Sequence, residues 1–356
     1  MNQGTTGQPV PAPEQAAATA PEPAIAEKVA FLRQPDAYPQ RPACIEVRET
    51  HMSWVFLTGE RVYKLKKPVL YRHLDYSTPE RRKHFCEEEL RLNRRFTDDV
   101  YLRLVPLRID GDGRLSLSSA GRDVDYLIEM RQLPADLMLD HRIRLGRVET
   151  ADVLTVADRL ARYYAAAAPR IAKGHRYLEH LREELAISQD LLLSSCMGVA
   201  SPWTRGILRR VHNLLTLWTP TILERIASGH IVEGHGDLRP EHVCLADPPQ
   251  IFDCLDFDPK MRLIDPYDEL NYLGLECEFL GAGWIRPSLL AVLEETIGDR
   301  PDRRLIATYG AFRAVLRARI CLAHLLDDTP AEPDRWPREA KAYLALAEAE
   351  CVKGEN

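Results

Sequence analysis

Short β-prone runs separated by turn residues follow one another between residues 45 and 130. Gly59 and the tripeptide Gly111-Asp112-Gly113 supply tight turns of the kind that join antiparallel strands. The pattern therefore predicts a small antiparallel sheet. Its predicted strands are residues 45–48, 54–57, 61–66, 101–107, 115–117 and 126–130.

One segment inside this region has a helical period instead. Thr78-Pro79-Glu80 opens a predicted helix that runs to about residue 96, with Pro79 at its first helical position. Phe85, Glu88 and Leu92 share one face of that helix by three- and four-residue spacing. A carboxylate on an otherwise apolar face is unusual unless it is paired with a cation.

From residue 131 onward the apolar spacing is mostly helical, and residues 1–24, rich in Ala, Pro, Gln and Thr, are predicted to be a disordered tail. Pro220 is expected to break or restart one of the helices. We therefore expect an α+β fold, with a β-rich part at residues 25–130 and a helical part at residues 131–356. The predicted helices include residues 153–164, 178–192, 208–218, 267–279, 305–320 and 340–347.

The helical part is interrupted at residues 235–253. The stretch His-Gly-Asp-Leu-Arg-Pro-Glu-His, residues 235–242, leads into an apolar run, a proline turn and a second apolar run that ends at Asp253. This order predicts a polar loop followed by a two-stranded hairpin. The hairpin would bring the carboxylates of Asp237 and Asp253 to one end of a small sheet.

Phosphoryl transfer uses two carboxylates in this way. One orients the attacking hydroxyl, and the other holds the Mg2+ that bridges the nucleotide phosphates. Protein kinases carry His-Arg-Asp, four residues and Asn, followed later by a metal-binding Asp. His235, Asp237 and Arg239 are in register with that pattern, and Asp253 stands where the second Asp is expected.

The spelling His-Gly-Asp resembles the aminoglycoside phosphotransferase family, a kinase-like group that acts on small molecules. Residues 49–57, 62–68 and 87–93 resemble an uncharacterised bacterial, phosphotransferase-like branch of it. The resemblance implies a bilobal protein-kinase-like fold, with a small antiparallel β N-lobe and a mainly helical C-lobe. It also implies transfer of phosphate from ATP or GTP, with Mg2+, to a hydroxyl of a small molecule.

Roles in the loop follow from the resemblance. Asp237 would orient the acceptor hydroxyl, Arg239 would offset charge on the transferred group, and Asp253 would hold Mg2+. His242 stands where the family has a metal-binding Asn, and imidazole suits Mn2+ or Zn2+ better than Mg2+. His242 is therefore expected to ligate a softer metal, to hydrogen-bond phosphate or loop backbone, or to mark a nucleotide-binding module without turnover.

The same fold pairs a strand lysine, which holds the nucleotide phosphates, with a helix glutamate. Lys64 is the first choice for the lysine and Lys66 the second. Glu88 is the first choice for the glutamate and Glu89 the second.

Two further contacts with the nucleotide are expected. The sequence has no glycine-rich phosphate loop, so residues 50–53 are assigned to cover the nucleotide, with Ser53 meeting phosphate. Glu129 and Met130 would begin the linker between the lobes, where adenine meets backbone groups in this fold.

The composition limits the expected partners and cellular compartment of the protein. A net charge of -6 gives no reason to expect a nucleic-acid partner, and no apolar run is long enough to span a membrane. Eight cysteines without a Cys-x-x-Cys pair are typical of a reducing, cytoplasmic protein. Asp256 and later acids favour a cationic or polyhydroxyl acceptor. The sequence does not identify the acceptor, the oligomeric state or the choice between ATP and GTP.

Overall fold

The computed structural model describes residues 22–71, 74–118, 120–326 and 332–356. An N-lobe built on an antiparallel sheet precedes a C-lobe built mainly of helices, which confirms the α+β class. The strands are β1 (Glu46–Glu49), β2 (Ser53–Leu57), β3 (Arg61–Lys66), β4 (Leu70–Tyr71), β5 (Leu74–Asp75), β6 (Tyr101–Ile109), β7 (Leu115–Ser116), β8 (Arg122–Arg131), β9 (Val232–Glu233), β10 (Val243–Cys244), β11 (Gln250–Ile251) and β12 (Leu263–Ile264). The α-helices are α1 (Ile25–Leu32), α2 (Pro79–Asn93), α3 (Leu139–Arg144), α4 (Thr150–Ala166), α5 (His175–Leu192), α6 (Pro202–Ala227), α7 (Pro266–Phe279), α8 (Ile285–Ile297), α9 (Arg303–Ala323) and α10 (Arg335–Glu355).

The main sheet has the strand order β1-β2-β3-β8-β6-β7 and two different faces. Successive side chains of a strand point to opposite faces, and directly paired residues share a face. Phe56, Tyr63 and Leu65 lie on the face that packs with α1 in the N-lobe core. The other face carries the residues that line the cleft between the lobes. On β2 and β3 these are the pairs Ser53–Lys66, Val55–Lys64 and Leu57–Val62.

Helix α2 crosses the cleft face of the sheet. It begins after Thr78, whose hydroxyl accepts a hydrogen bond from the Arg81 backbone N–H at 3.3 Å. A deeply buried line of this helix runs through Cys86, Glu89 and Asn93. The helix therefore turns Glu89, rather than Glu88, towards the sheet.

The C-lobe is organised around α7 and α9. Residues 266–277 of α7 are all buried, because α8, α9 and the loop of residues 235–237 pack around that helix. The expected break at Pro220 is wrong, since α6 runs through it. Leu215 and Ile222, before and after the proline, are buried in one core. Their burial outweighs the cost of about 3 kcal/mol of a proline inside a helix.

Two other expectations concern the ends and the surface of the chain. The predicted tail, residues 1–24, lies outside the described residues apart from its last three. Across the part of the chain that the structure describes, no helix is both long and apolar enough to cross a bilayer.

Candidate active site

A cleft of about 820 Å³ lies between the two lobes. Strands β2, β3 and β8 form its roof, and the segments around β10 and β11 form its floor. The hairpin predicted after residue 242 is confirmed, with β10 paired to β11. The charged and polar residues lining the cleft include Ser53, Lys64, Lys66, Asp237, His242, Asp253 and Asp256.

The loop that carries Asp237 is fixed by a buried carboxylate. Glu269, on α7, accepts hydrogen bonds from the backbone N–H groups of His235 at 3.0 Å and Gly236 at 2.6 Å. Gly236 has a φ of +92°, and a Cβ there would lie 3.0 Å from the Leu255 side chain. Only glycine meets both conditions without strain. These contacts restrict the loop to one backbone conformation, which sets the position of Asp237.

His235 joins this loop to the segment that carries Asp253. Its Nε2–H donates to the carbonyl of Phe252 at 2.8 Å, and its Nδ1 accepts from the Asp237 backbone N–H at 3.3 Å. The ring is fully buried. One imidazole therefore ties the backbone next to Asp253 to the backbone of Asp237.

The Asp237 carboxylate faces the cleft on one side and α7 on the other. The hydroxyl of Tyr272 donates to Asp237 Oδ1 at 3.3 Å, and Arg239 Nη1 lies 3.8 Å from Oδ2. Burial raises the pKa of Asp237, but Arg239 and His242 more than offset it, so the pKa lies below its ordinary value. Asp237 is therefore ionised at neutral pH.

Asp253 has an unusual backbone and a cationic neighbour. Its φ is +61°, a left-handed conformation that aspartate tolerates better than most residues. Lys64 Nζ donates to Asp253 Oδ1 at 2.8 Å, and the Tyr101 hydroxyl accepts from the Asp253 backbone N–H at 3.3 Å. Burial raises the pKa of Asp253, but Lys64 and His242 outweigh it and hold the pKa far below its usual range.

The lysine–glutamate pair forms with Glu89, so the first choice of Glu88 is wrong. Lys64 Nζ lies 2.8 Å from Glu89 Oε1, and Lys66 Nζ lies 2.6 Å from Glu89 Oε2. Glu88 instead pairs with Arg91, one turn along α2, at 2.9 Å. The spacing of apolar residues fits either flank of α2. The packing of α2 against β6 and β8 decides which flank faces β3.

Lys66 makes a second contact between the lobes. Its Nζ lies 2.7 Å from Asp256 Oδ2, which also accepts from the Tyr76 hydroxyl at 2.9 Å. Lys66 is 2% exposed and has three acceptors around it, including Glu89. Lys66 and Asp256 therefore hold the lobes together. Because Asp256 is engaged in this way, it lends no support to a cationic acceptor.

His242 lies between the two carboxylates. Its Nδ1 donates to the backbone carbonyl of Asp237 at 2.8 Å, since a carbonyl can only accept. Its Nε2 faces Asp253 Oδ2 at 3.7 Å. A histidine whose Nδ1–H is held by a carbonyl presents a lone pair at Nε2, as metal-binding histidines do.

These residues fit a divalent cation. One imidazole nitrogen and one carboxylate oxygen lie 3.7 Å apart, and that donor set suits Mn2+ better than Mg2+. The described residues contain no group of three or more His, Cys, Asp or Glu side chains arranged to hold a metal ion. The remaining ligands of a metal here would come from nucleotide phosphates and water, as is usual for Mg2+ in phosphoryl-transfer sites.

Arg239 and His242 both approach Asp237 Oδ2, each at 3.8 Å. The Arg239 guanidinium pairs with Glu241, and its Nε lies 3.7 Å from Glu276 Oε2 on α7. It therefore lies beside the Asp237 carboxylate and close to two other acids. Its action on a transferred phosphate stays a prediction.

The remaining predicted contacts divide into two groups. Ser53 and Met130 line the cleft, and the buried Ser53 hydroxyl has no hydrogen-bond partner among the described residues. Glu129 does not line it, because its side chain turns to the opposite face and accepts from Arg103 at 2.6 Å. The predicted linker start is also wrong. Glu129 and Met130 are paired on both sides within the sheet, and β8 ends only at Arg131.

Sequence reasoning missed several residues that hold the site. Asn93 Oδ1 accepts from the Cys254 backbone N–H at 2.9 Å, so α2 supports the segment next to Asp253. Arg262 donates to the carbonyls of Leu255 and Asp256. Glu269 gave no signal, because a helix that is buried all round has no polar face to set a buried acid apart.

Comparison with known proteins finds relatives in sequence and solved structures with a similar fold. No protein-family model matches the sequence. Uncharacterised proteins of Mycobacterium tuberculosis and Mycobacterium bovis are 30% identical to this chain over 290 residues, which cover 78% of the chain and 54% of each relative. The chain thus spans about half the length of these curated relatives.

Solved structures extend the likeness to both lobes. A choline/ethanolamine kinase family protein from Mesorhizobium loti, 12% identical, aligns over 93% of this chain and 96% of its own, with a TM-score of 0.56. The GDP complex of aminoglycoside 2'-phosphotransferase-IIIa, 13% identical, aligns over 92% of this chain and 98% of its own, with a TM-score of 0.52. The predicted fold is confirmed: the chain has the bilobal kinase-like fold of choline/ethanolamine kinases and aminoglycoside phosphotransferases.

Proposed function

We propose that the protein is a phosphotransferase that moves the γ-phosphate of ATP or GTP to a hydroxyl of a small molecule. The observation that carries the proposal is the convergence of Asp237, Asp253 and the Lys64–Glu89 pair on one cleft. The similar fold of a phosphotransferase solved with GDP supports a nucleotide in that cleft.

Each of these residues has a part in the reaction. Asp237 orients the acceptor hydroxyl and receives its proton as the oxygen bonds to the γ-phosphorus and the nucleoside diphosphate leaves. Lys64, held by Glu89, positions the phosphates. The unpartnered Ser53 hydroxyl offers a further donor to them. A divalent ion held by Asp253 and His242 would neutralise charge on the transferred phosphate.

Nucleotide binding is the first part of the test. Calorimetric titration of ATP and of GTP with Mg2+, with Mn2+ and with chelator measures binding and its dependence on metal. We expect binding that needs a divalent ion and is weakened by Asp253→Ala. Absence of binding for both nucleotides under all three conditions would refute the proposal.

Turnover is the second part. Nucleoside diphosphate release is measured with choline, ethanolamine, aminoglycosides and simple sugars as acceptors. Asp237→Ala should keep nucleotide affinity but lower turnover by about 10²-fold or more, since general-base assistance gives about 10²–10⁴-fold. Asp190→Ala, at an exposed position of α5, is the control and should match the wild type.

A nucleotide-binding module without turnover is the second candidate function. The observation that favours it is His242, which replaces the amide oxygen expected at that position. It predicts nucleotide binding that does not require a metal. It also predicts that Asp237→Ala does not change the process that the bound nucleotide regulates.

A further inference from the structure

An apolar slot lies at the end of the cleft where the chain leaves β8. Leu57, Val62 and Met130 form one row across β2, β3 and β8, because Val62 pairs with Leu57 on one side and with Met130 on the other. All three line the cleft, and Leu133 extends the apolar surface beyond the sheet. This row is two residues, about 7 Å, from Lys64 along β3. The slot is therefore a place for a flat aromatic base beside the residues that would hold its phosphates.

Gln132 borders this slot with an unsatisfied polar atom. It is the first residue after β8, and its backbone N–H donates to the Glu60 carbonyl at 3.0 Å, which fixes it against the turn between β2 and β3. Its side-chain Oε1 is buried in the cleft wall, and no described residue donates a hydrogen bond to it. A buried oxygen without a donor is costly, and a ligand that brings an N–H group removes that cost.

We propose that Gln132 recognises the purine base of the bound nucleotide, by receiving a hydrogen bond at Oε1 from an N–H group on the edge of that base. The proposal rests on the nucleotide-dependent function given above. Adenine brings its 6-amino group to that edge, and guanine brings its N1–H and 2-amino groups. Purine without ring substituents brings no N–H there, so it lacks the group that Gln132 reads.

The test compares three nucleotides with four proteins. ATP, GTP and purine riboside triphosphate are titrated calorimetrically into the wild type and into Gln132→Leu, Gln132→Glu and Gln34→Leu. Gln132→Leu removes the acceptor, and Gln132→Glu keeps an acceptor oxygen. Gln34, an exposed glutamine that does not line the cleft, serves as control. The difference between ATP and GTP in the wild type identifies the base.

The wild type and Gln34→Leu should bind the preferred nucleotide about five- to tenfold more tightly than purine riboside triphosphate, which is the effect of one hydrogen bond. Gln132→Leu should bind both equally, and Gln132→Glu should restore the preference. Equal discrimination by the wild type and Gln132→Leu would overturn the assignment while leaving the phosphotransferase proposal intact. Base discrimination without turnover would keep the assignment and overturn the phosphotransferase. Failure of the wild type to bind any of the three nucleotides would overturn both.

Discussion

Replacing Glu89 with glutamine tests the charge arrangement beneath the sheet. The Glu89 side chain is 1% exposed and accepts hydrogen bonds from both Lys64 and Lys66, at 2.8 and 2.6 Å. Glutamine keeps the volume but has one acceptor oxygen, and its amide group would face a lysine ammonium that is itself a donor. One of the two lysines therefore loses a partner beside a side chain that is almost fully buried.

The expected loss is large compared with the stability of a protein. Removing one member of a buried ion pair costs about 3–5 kcal/mol, and total free energies of unfolding are about 5–15 kcal/mol. Asp253 and Asp256 still face the two lysines in the variant, so we expect the lower end, about 3 kcal/mol. Glu88→Gln is the matched control, because a partly exposed pair such as Glu88–Arg91 contributes about 0–1 kcal/mol.

The pH dependence gives the prediction a second readout. Burial raises the pKa of Glu89, but Lys64 and Lys66 outweigh it, so the pKa in the folded protein lies below the ordinary value of 4.5. A lowered pKa contributes stability that is complete above that ordinary value and is lost as pH falls through the folded-state pKa. The gap between the wild type and Glu89→Gln should therefore be full at pH 7 and shrink in acid.

Two measurements check the Glu89 prediction. Guanidinium denaturation gives the free energy of unfolding at each pH. Hydrogen exchange over residues 61–66 and 79–93 shows whether β3 and α2 are the parts that lose protection. Equal stability of Glu89→Gln and Glu88→Gln at pH 7 would refute the reasoning, and so would a gap that widens as the pH falls.

Two further predictions concern the metal site. Lys64→Met releases Asp253 from its ion pair, so Mn2+ affinity without nucleotide should rise. The pKa of Asp253 should also return towards 3.8, so Mn2+ binding should be lost at a higher pH as the solution is acidified. Electron paramagnetic resonance of free Mn2+ measures the affinity. Lys66→Met is the control, because Lys66 pairs with Asp256. An unchanged Mn2+ affinity in Lys64→Met would contradict the prediction. His242→Asn should lower the affinity for Mn2+ relative to Mg2+ in the nucleotide complex by at least about tenfold, because an imidazole nitrogen gives way to an amide oxygen. Calorimetric titration of both metals checks this, and an unaltered ratio would show that Nε2 is not a ligand.

The parts of the site that the sequence predicted depend on local patterns. Short runs of residues determine the His-Gly-Asp loop, the hairpin after it and the β2–β3 hairpin. The positions of their side chains could therefore be predicted from the sequence. Asp237, His242 and Asp253 meet in the cleft because the hairpin returns the chain to its starting point. Lys64 meets them because side chains alternate along β3.

The parts that the sequence did not predict depend on contacts between distant elements. Glu88 and Glu89 have equally plausible apolar neighbours, and the packing of α2 on the sheet decides between them. Glu129 was wrongly assigned to the cleft because the sequence does not show where β8 ends. Without that end, the face to which the last side chains of the strand point could not be decided. Gln132 gave no signal, since an unpaired carboxamide is recognised only when the atoms around it are known.

The alternation of the β2–β3 hairpin makes the chemistry of this site sensitive to chain length. Lys64 and Lys66 face the cleft only because Ser53 and Val55 oppose them in the present register. A single residue inserted in β3 before Lys64 would carry both lysines to the face packed against α1 and bring apolar residues into the cleft. The turn at residues 58–60 lies outside that register and can absorb insertions. Length variation among functional homologues should therefore collect in this turn and be missing from the two strands.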